Sequence, residues 1–300
     1  MIQCFVKKDP VSSFVPGTQP KLLSASKIDS VFSVHPRILH KHPDFLEIMY
    51  VRTGTGVYIV DECRYDIKGG DIIICNAGCL HDEDPAYSKD LNMVSVAVGG
   101  VFVRGLDPNS LIAPNYSPVF PAGECADMLC SLLTMIHSLL ATDPDNAIET
   151  CHHLTMALLS KLLLVIRRYC EKTGNTIQTS PDIIACKVRQ YIDTHFDERF
   201  TLQDISDAIR ISPYHLAHIF KEQTGYSPMQ YTLRRRLGEA QSLLIATDMT
   251  ITEISVAVGF GNPSHFNTMF SKYIGMPPSK YRASYVRNGE DASEDAEGTV

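Results

Sequence analysis

The sequence predicts a multidomain α and β chain: a small β-barrel or sandwich with a helix pair first, then an all-α domain built from two helix-turn-helix units. Three observations carry that expectation. Residues 31–105 are short apolar runs broken by Gly, Asp and Asn, residues 124–169 change to helical spacing, and a fifty-residue pattern near the C-terminus occurs twice.

The β region reads from Glu47-Ile48-Met49-Tyr50-Val51, Gly56-Val57-Tyr58-Ile59-Val60 and Asp71-Ile72-Ile73-Ile74-Cys75, each bounded by turn residues. Many short strands at close spacing suggest a barrel or sandwich. One helical stripe follows in Met128, Leu129, Leu132, Leu133, Ile136 and Leu140 and stops at Asp143-Pro144; a second runs through Leu154, Leu158, Leu162, Val165 and Ile166. This pair is expected to cover either the sheet or a second subunit. Glu171 to Pro181 is polar and reads as a linker, and Asn288–Val300 is acidic and reads as a disordered tail. The resulting boundaries are 1–120, 121–180, 181–287 and 288–300.

The repeat is Phe220-x4-Gly225-x2-Pro228-x2-Tyr231, which returns as Phe270-x4-Gly275-x2-Pro278-x2-Tyr281. Upstream, Leu202, Ile205, Ala208 and Ile209 return as Ile251, Ile254, Ala257 and Val258. Each copy reads as helix, tight turn, helix, the layout that places a second helix in the major groove of DNA. Thr201 caps Leu202–Ile209, Ser212 with Pro213 opens a helix from Tyr214 to Gln223, Thr250 caps Ile251–Val258, and Pro263 opens the second reading helix. Leu216, Ile219, Phe220, Phe266, Met269 and Phe270 point inward. Tyr214, His215, Ala217, His218 and Lys221 remain for DNA on the first helix, and Ser264, His265, Asn267, Thr268 and Lys272 on the second. Between the units, a helix from Gln230 to Ala246 carries Arg234-Arg235-Arg236; Arg234 and Arg235 are phosphate candidates, with one of the three turned inward as a brace.

The net charge of −7 divides unevenly: −4 over residues 1–180, +2 over 181–287 and −5 over the last thirteen residues. Only the repeat region is positive, so non-specific DNA affinity is expected to be modest and base contacts to carry more of the discrimination. No apolar segment follows Met1-Ile2-Gln3-Cys4, and the run Leu154 to Ile166 is too short for a membrane span, so a cytoplasmic chain without membrane contact is expected. Nine cysteines with no Cys-x-x-Cys pair point to packed thiols.

Residues 183–285 resemble the DNA-binding domain of the AraC/XylS family of transcription regulators. The resemblance is carried by Leu202-x2-Ile205-x2-Ala208, Ser212-x3-Leu216-x3-Phe220-Lys221, Arg236-Leu237-x2-Ala240, Ile254-x2-Ala257-x-Gly259-Phe260, and Phe266-x3-Phe270 through Pro277 to Tyr281-Arg282. It implies base contacts at Tyr214, Ala217 and His218, and at Ser264, His265 and Thr268. Ala217 stands where a longer polar residue is common, and neither outer face carries Arg, the usual reader of guanine.

In the β region, His40-x-His42-x4-Glu47-x6-Gly54 followed by Gly70-x7-Gly78-x2-His81 resembles the two-part cupin motif. Asn76 stands where proline is usual and Pro85 where asparagine is usual. Three imidazoles and a carboxylate suit Fe, Mn, Ni or Zn. The same residues, with Tyr58, read rather as polar groups that line an effector pocket or pack in the core, and no cofactor is required for that role.

Together these features predict a sequence-specific DNA-binding transcription regulator of the AraC type, without catalytic residues. A small-molecule effector would bind the cupin-like domain and a homodimer would grip promoter DNA; by resemblance it would activate by recruiting RNA polymerase. The alternative is a metal-dependent cupin enzyme with a DNA-binding appendage, using His40, His42, Glu47 and His81.

Overall fold

The computed structural model describes residues 12–28, 38–61, 63–173 and 183–290. Six strands come first: β1 (Lys21–Ile28), β2 (Phe45–Val60), β3 (Cys63–Lys68), β4 (Asp71–Cys75), β5 (His81–Gly99) and β6 (Val119–Pro121). Two long helices follow, α1 (Ala126–Thr142) and α2 (Pro144–Thr173). The second half is α3 (Ile183–His195), α4 (Leu202–Ile209), α5 (Pro213–Thr224), α6 (Pro228–Ala246), α7 (Ile251–Ala257), α8 (Pro263–Ile274) and α9 (Pro278–Glu290).

The sheet departs from the expected barrel. Its antiparallel path runs β1-β5-β2-β4-β6 with β3 paired to β2, so it is open rather than closed among the described residues. The reason lies in the length of two strands. The runs expected at 47–51 and 56–60 are one strand, β2, whose register slips between Val51 and Val57 where it faces β5. Gly54, expected as a turn, sits inside that irregular stretch with φ +85°. A Cβ there would lie 2.6 Å from the Lys89 carbonyl oxygen, so only glycine lets the bent strands approach. The first half of β2 therefore pairs with β4, and the second half curls over to pair with β3.

Alternation along β2 divides the sheet into two faces. Leu46, Ile48 and Tyr50 point to one side, where Leu129, Leu133 and Ile136 of α1 and Leu158, Leu159, Leu162 and Ile166 of α2 cover them. The helix pair thus covers the sheet, which the stripe alone left open. By length and composition the segments Gly123–Thr142 and Pro144–Thr173 could cross a bilayer, but here each lays one apolar stripe on the sheet. Met49, Val51, Tyr58 and Val60 point to the opposite, inner face, with Ile73, Cys75 and Met93, and form a second buried cluster. The eight described cysteines are free thiols.

A third core joins the helices of the second half: Val188, Ile192, Leu216, Phe220, Leu237, Leu244, Phe266 and Phe270 are all buried in it. Ile38, Leu39 and Leu80 from the β half belong to the same cluster, so the two halves share a core. The expected linker begins inside α2, and its remainder from 174 lies outside the described residues. Likewise α9 runs to Glu290, past the expected start of the tail at 288, and residues 291–300 lie outside the described residues.

Candidate nucleic-acid interface and sensor chamber

The two helix-turn-helix units are built by local chemistry that the sequence spells out. Thr201 accepts from the backbone N–H of Asp204, while the Asp204 carboxylate takes the Thr201 N–H, a reciprocal cap. Thr250 and Glu253 repeat it at α7. In both pairs the backbone and side-chain hydrogen bonds from the threonine hold the carboxyl below its usual range. Ser212 and Asn262 cap α5 and α8, each with proline at the first turn. Gly225 and Gly275 end the reading helices at φ +80° and +85°, the left-handed turn that glycine takes without strain.

The outer faces of the reading helices are open. Tyr214 is 83 % exposed, and His215, His218 and Lys221 are exposed beside it, with Ala217 half-buried. On α8, Ser264, His265, Asn267, Thr268 and Lys272 are all accessible at the surface. The surface polar positions singled out by sequence on each helix therefore share one accessible face.

The arginine run on α6 behaves differently, and the structure corrects the phosphate role expected for two of its members. Arg234 is buried and pairs with Asp82 of β5, and its guanidinium lies 4.7 Å from the Tyr226 ring. Arg235 is 2 % exposed; it donates to Glu239 at 2.9 Å and stacks 4.3 Å from the Phe196 ring. Arg236 donates to the carbonyls of Phe196 and Glu198 at 2.6 and 2.5 Å. All three brace the fold, because each finds a carboxylate or carbonyl that folding brings to it.

The partner of Arg234 belongs to a feature that sequence reading passed over. His81-Asp82-Glu83-Asp84 are four consecutive buried ionisable residues. Alternation sorts them. His81 and Glu83 pair with Val60 and Tyr58 on the inner face, whereas Asp82 and Asp84 face the helical half. Asp84 takes a 3.0 Å ion pair from Arg64 of β3, and Arg64 also donates at 3.2 Å to the carbonyl of Thr224, the last residue of α5. Burial pushes the Asp82 carboxyl up to about 6, against the lowering effect of Arg234. Arg189 of α3 adds a 2.8 Å bond to the Asp61 carbonyl.

Two further contacts complete this junction. The Ile38 N–H donates at 2.9 Å to Oε1 of Gln241, whose amide nitrogen donates at 3.1 Å to the Tyr281 hydroxyl of α9. Gly238, in the middle of α6, lies directly under the backbone of Ile38 and Leu39, with the Leu39 carbonyl carbon 2.9 Å from where a Cβ would stand. A glycine inside an otherwise good helix was the one local signal of this close approach.

The inner face of the sheet assembles the cupin-like residues. Glu47 projects from β2 between β4 and β5. His40 and His81 are joined by a two-way backbone bridge, N to O at 3.1 and 2.9 Å. His40 and His42 were expected to alternate on a strand; they lie instead at this isolated bridge and in the irregular segment after it, yet their rings are 4.9 Å apart. Nε2 of His81 lies 3.1 Å from Oε2 of Glu47, and Nε2 of His42 lies 3.8 Å from Oε1. Tyr58 is buried with its ring 6.4 Å from His81 and donates to the Met49 sulfur at 3.1 Å.

This set fits a divalent transition metal. One ligand atom from each of His40, His42, Glu47 and His81 lies within 4.8 Å of the others. Nδ1 of His81 faces the Cys79 carbonyl at 3.0 Å, which puts the ring proton there and directs Nε2 inward. A backbone carbonyl that fixes the tautomer is the usual outer support of a metal-binding histidine. Burial opposes protonation of His81, but the Cys75 sulfur and the Glu47 carboxylate outweigh it and hold the imidazole well above its ordinary range. Burial pushes the Cys75 thiol up, and Glu47 is the one carboxylate of the four-residue group.

Comparisons with known proteins agree with this organisation. Residues 205–284 match the helix-turn-helix domain family and residues 31–97 the cupin domain family. The chain is 26% identical over 280 residues to the uncharacterized HTH-type transcriptional regulator YdiP of Escherichia coli (strain K12), covering 91% of this chain and 89% of that one. It is 26% identical over 291 residues to the HTH-type transcriptional activator RhaS of Enterobacter sp. (strain 638), covering 94% and 97%. Among solved structures, the C-terminal domain of AraT, a response regulator from Geobacillus stearothermophilus, is 32% identical over 36% of this chain and 88% of that one, with a TM-score of 0.34. ToxT from Vibrio cholerae O395 is 16% identical over 90% and 97%, with a TM-score of 0.44.

A cupin-like domain followed by two helix-turn-helix units defines a class, the helix-turn-helix transcriptional regulators with an N-terminal cupin-like domain. Within it, the chain is similar over nearly its whole length to helix-turn-helix transcriptional regulators, in the motif order of the AraC/XylS type.

Proposed function

We propose that this regulator is an activator that binds promoter DNA through α5 and α8 and is controlled by a small polar effector in the chamber formed by His40, His42, Glu47, Tyr58 and His81. The observation that carries the DNA reading is the pair of open polar faces on two helices held by one core. The wide match to an activator, RhaS, supports activation, with RNA polymerase as partner. The exposed Met128, Met135, Ile148 and Leu164 on the outer side of α1 and α2 suit pairing with a second copy. Such a regulator works in the cytoplasm.

The route from chamber to DNA runs along β5. Its inner side chain, His81, meets the effector, and the next residue, Asp82, holds Arg234 of the helix that joins the two units. An effector that shifts His81 changes how α6 is held, provided its affinity differs between the docked and released states.

Replacing Tyr214 and His218 together with alanine removes base contacts worth about 1–3 kcal/mol each, about 2–6 kcal/mol for the pair, so binding to a specific site should weaken roughly 30- to 20,000-fold while non-specific binding stays level. Competition band shifts with a scrambled duplex measure both. Equal loss on both duplexes, or no loss, would contradict the assignment.

A second reading is favoured by the donor set itself: a metal in the chamber, as a structural part of the sensor or as the centre of an enzyme. A bound ion would polarise oxygen ligands of the effector, with His40, His42, Glu47 and His81 holding it. Protein purified without added metal should then carry close to one equivalent by elemental analysis. Less than about a tenth of an equivalent removes both the metal and the enzyme reading.

A further inference from the structure

We propose that Arg199 is a DNA phosphate contact set between the two reading helices, an inference that rests on the DNA-binding reading above. Folding consumes most arginines of the helical half internally. Arg189, Arg234, Arg235, Arg236 and Arg282 all bond to carbonyls or carboxylates inside the protein. Arg199 is exposed, and among the described residues it takes part in no hydrogen bond or ion pair.

Its position is specific. The guanidinium lines a cleft of about 440 Å³ whose walls are Met229, Thr232 and Leu233 of α6 on one side and Phe260, Asn262 and His265 on the other. The cleft therefore spans from the connector helix just after the first reading helix to the first turn of the second, with the candidate base reader His265 on its rim. A second glycine in the turn makes room for this arrangement. Gly261 has no positive φ and needs no conformational freedom, yet a Cβ there would stand 2.7 Å from Cζ of Arg199 and closer still to one of its terminal nitrogens. The turn is shaped to let a guanidinium lie across it.

The occupant this chemistry suits is a phosphodiester of duplex DNA. Two helices that enter successive major-groove segments leave a stretch of sugar–phosphate backbone between them, and this cleft joins the start of the connector helix to the first turn of α8. An unpaired guanidinium offers a planar pair of donors matched to phosphate oxygens. In a half whose net charge is only +2, one such cation is a large share of the attraction.

The test compares full-length wild type with Arg199→Gln and Arg199→Lys on a specific and a scrambled duplex across a salt series. Loss of one phosphate contact should lower the slope of log affinity against log salt by about 0.9 and weaken both duplexes by the same factor, with Arg199→Lys restoring the slope. Gly261→Ala, which displaces the guanidinium, should weaken binding in the wild-type background and have no further effect in Arg199→Gln. An unchanged slope in Arg199→Gln, or a loss confined to the specific duplex, would overturn the proposal while leaving the DNA-binding reading intact. If the wild type bound neither duplex, the reading itself would fall and the proposal with it.

Discussion

Arg234→Ala will destabilise the full-length protein by about 3–5 kcal/mol, because it leaves the Asp82 carboxylate buried without its partner. Asp82 is 1 % exposed and its Oδ1 has no hydrogen-bond partner, so the carboxyl stays buried with its ion pair gone. The expected response is a clear drop in denaturation midpoint, with the junction between the halves opening first and the segment near Asp61 and Arg64 gaining hydrogen exchange. Removing the charge on both sides should undo the damage: Arg234→Met with Asp82→Leu replaces the pair by apolar volume, and buried pairs exchanged in this way are often neutral or stabilised. A double variant as unstable as Arg234→Ala would mean that the pair is not what joins the halves. Activation by effector should fail in the double variant even though it folds, since β5 no longer grips α6.

Gly238→Ala should have the second-largest effect, against the general rule that alanine stabilises a helix by up to about 1 kcal/mol over glycine. At this position the added methyl meets the carbonyls of Ile38 and Leu39, which are backbone and cannot swing aside. Overpacking of this kind costs about 1–3 kcal/mol, and relieving it means lifting the segment and giving up the bond from Ile38 to Gln241. The isolated helical half would gain from the same change, if anything, so a full chain that is loosened at 38–39 while its DNA affinity persists is the expected signature. A stabilised full chain with unchanged exchange at 38–39 would show that the close approach is absent in solution.

Legibility in the sequence followed the range of the interactions. Helix starts, caps and stops in the second half were readable within a residue or two, because Thr201, Ser212, Thr250, Gly225 and Gly275 act on backbone groups only a few positions away. His40, His42, Glu47 and His81 were readable through the resemblance of their spacing to the two-part cupin motif, and burying such groups is costly unless they meet one another. What long-range partners decide stayed hidden. Arg234 pairs with a residue 152 positions earlier in the chain, and no local rule turns that guanidinium inward. The sheet stayed open because bulges in β2 bend one strand where the turn signal at Gly54 suggested two. The acidic run at 82–84 was visible, but its alternation between chamber and junction needs the strand register to be known.

Two differently surfaced reading helices, rigidly joined, should grip successive turns of one duplex. Hydroxyl-radical footprinting of the full-length protein on the DNA upstream of its own coding sequence is the decisive measurement. Two protected segments per subunit are expected on one face of the duplex, about one helical turn apart, with Tyr214→Ala and His218→Ala clearing one and His265→Ala with Thr268→Ala weakening the other. A single protected segment, or an even pattern without sequence preference, would contradict this grip.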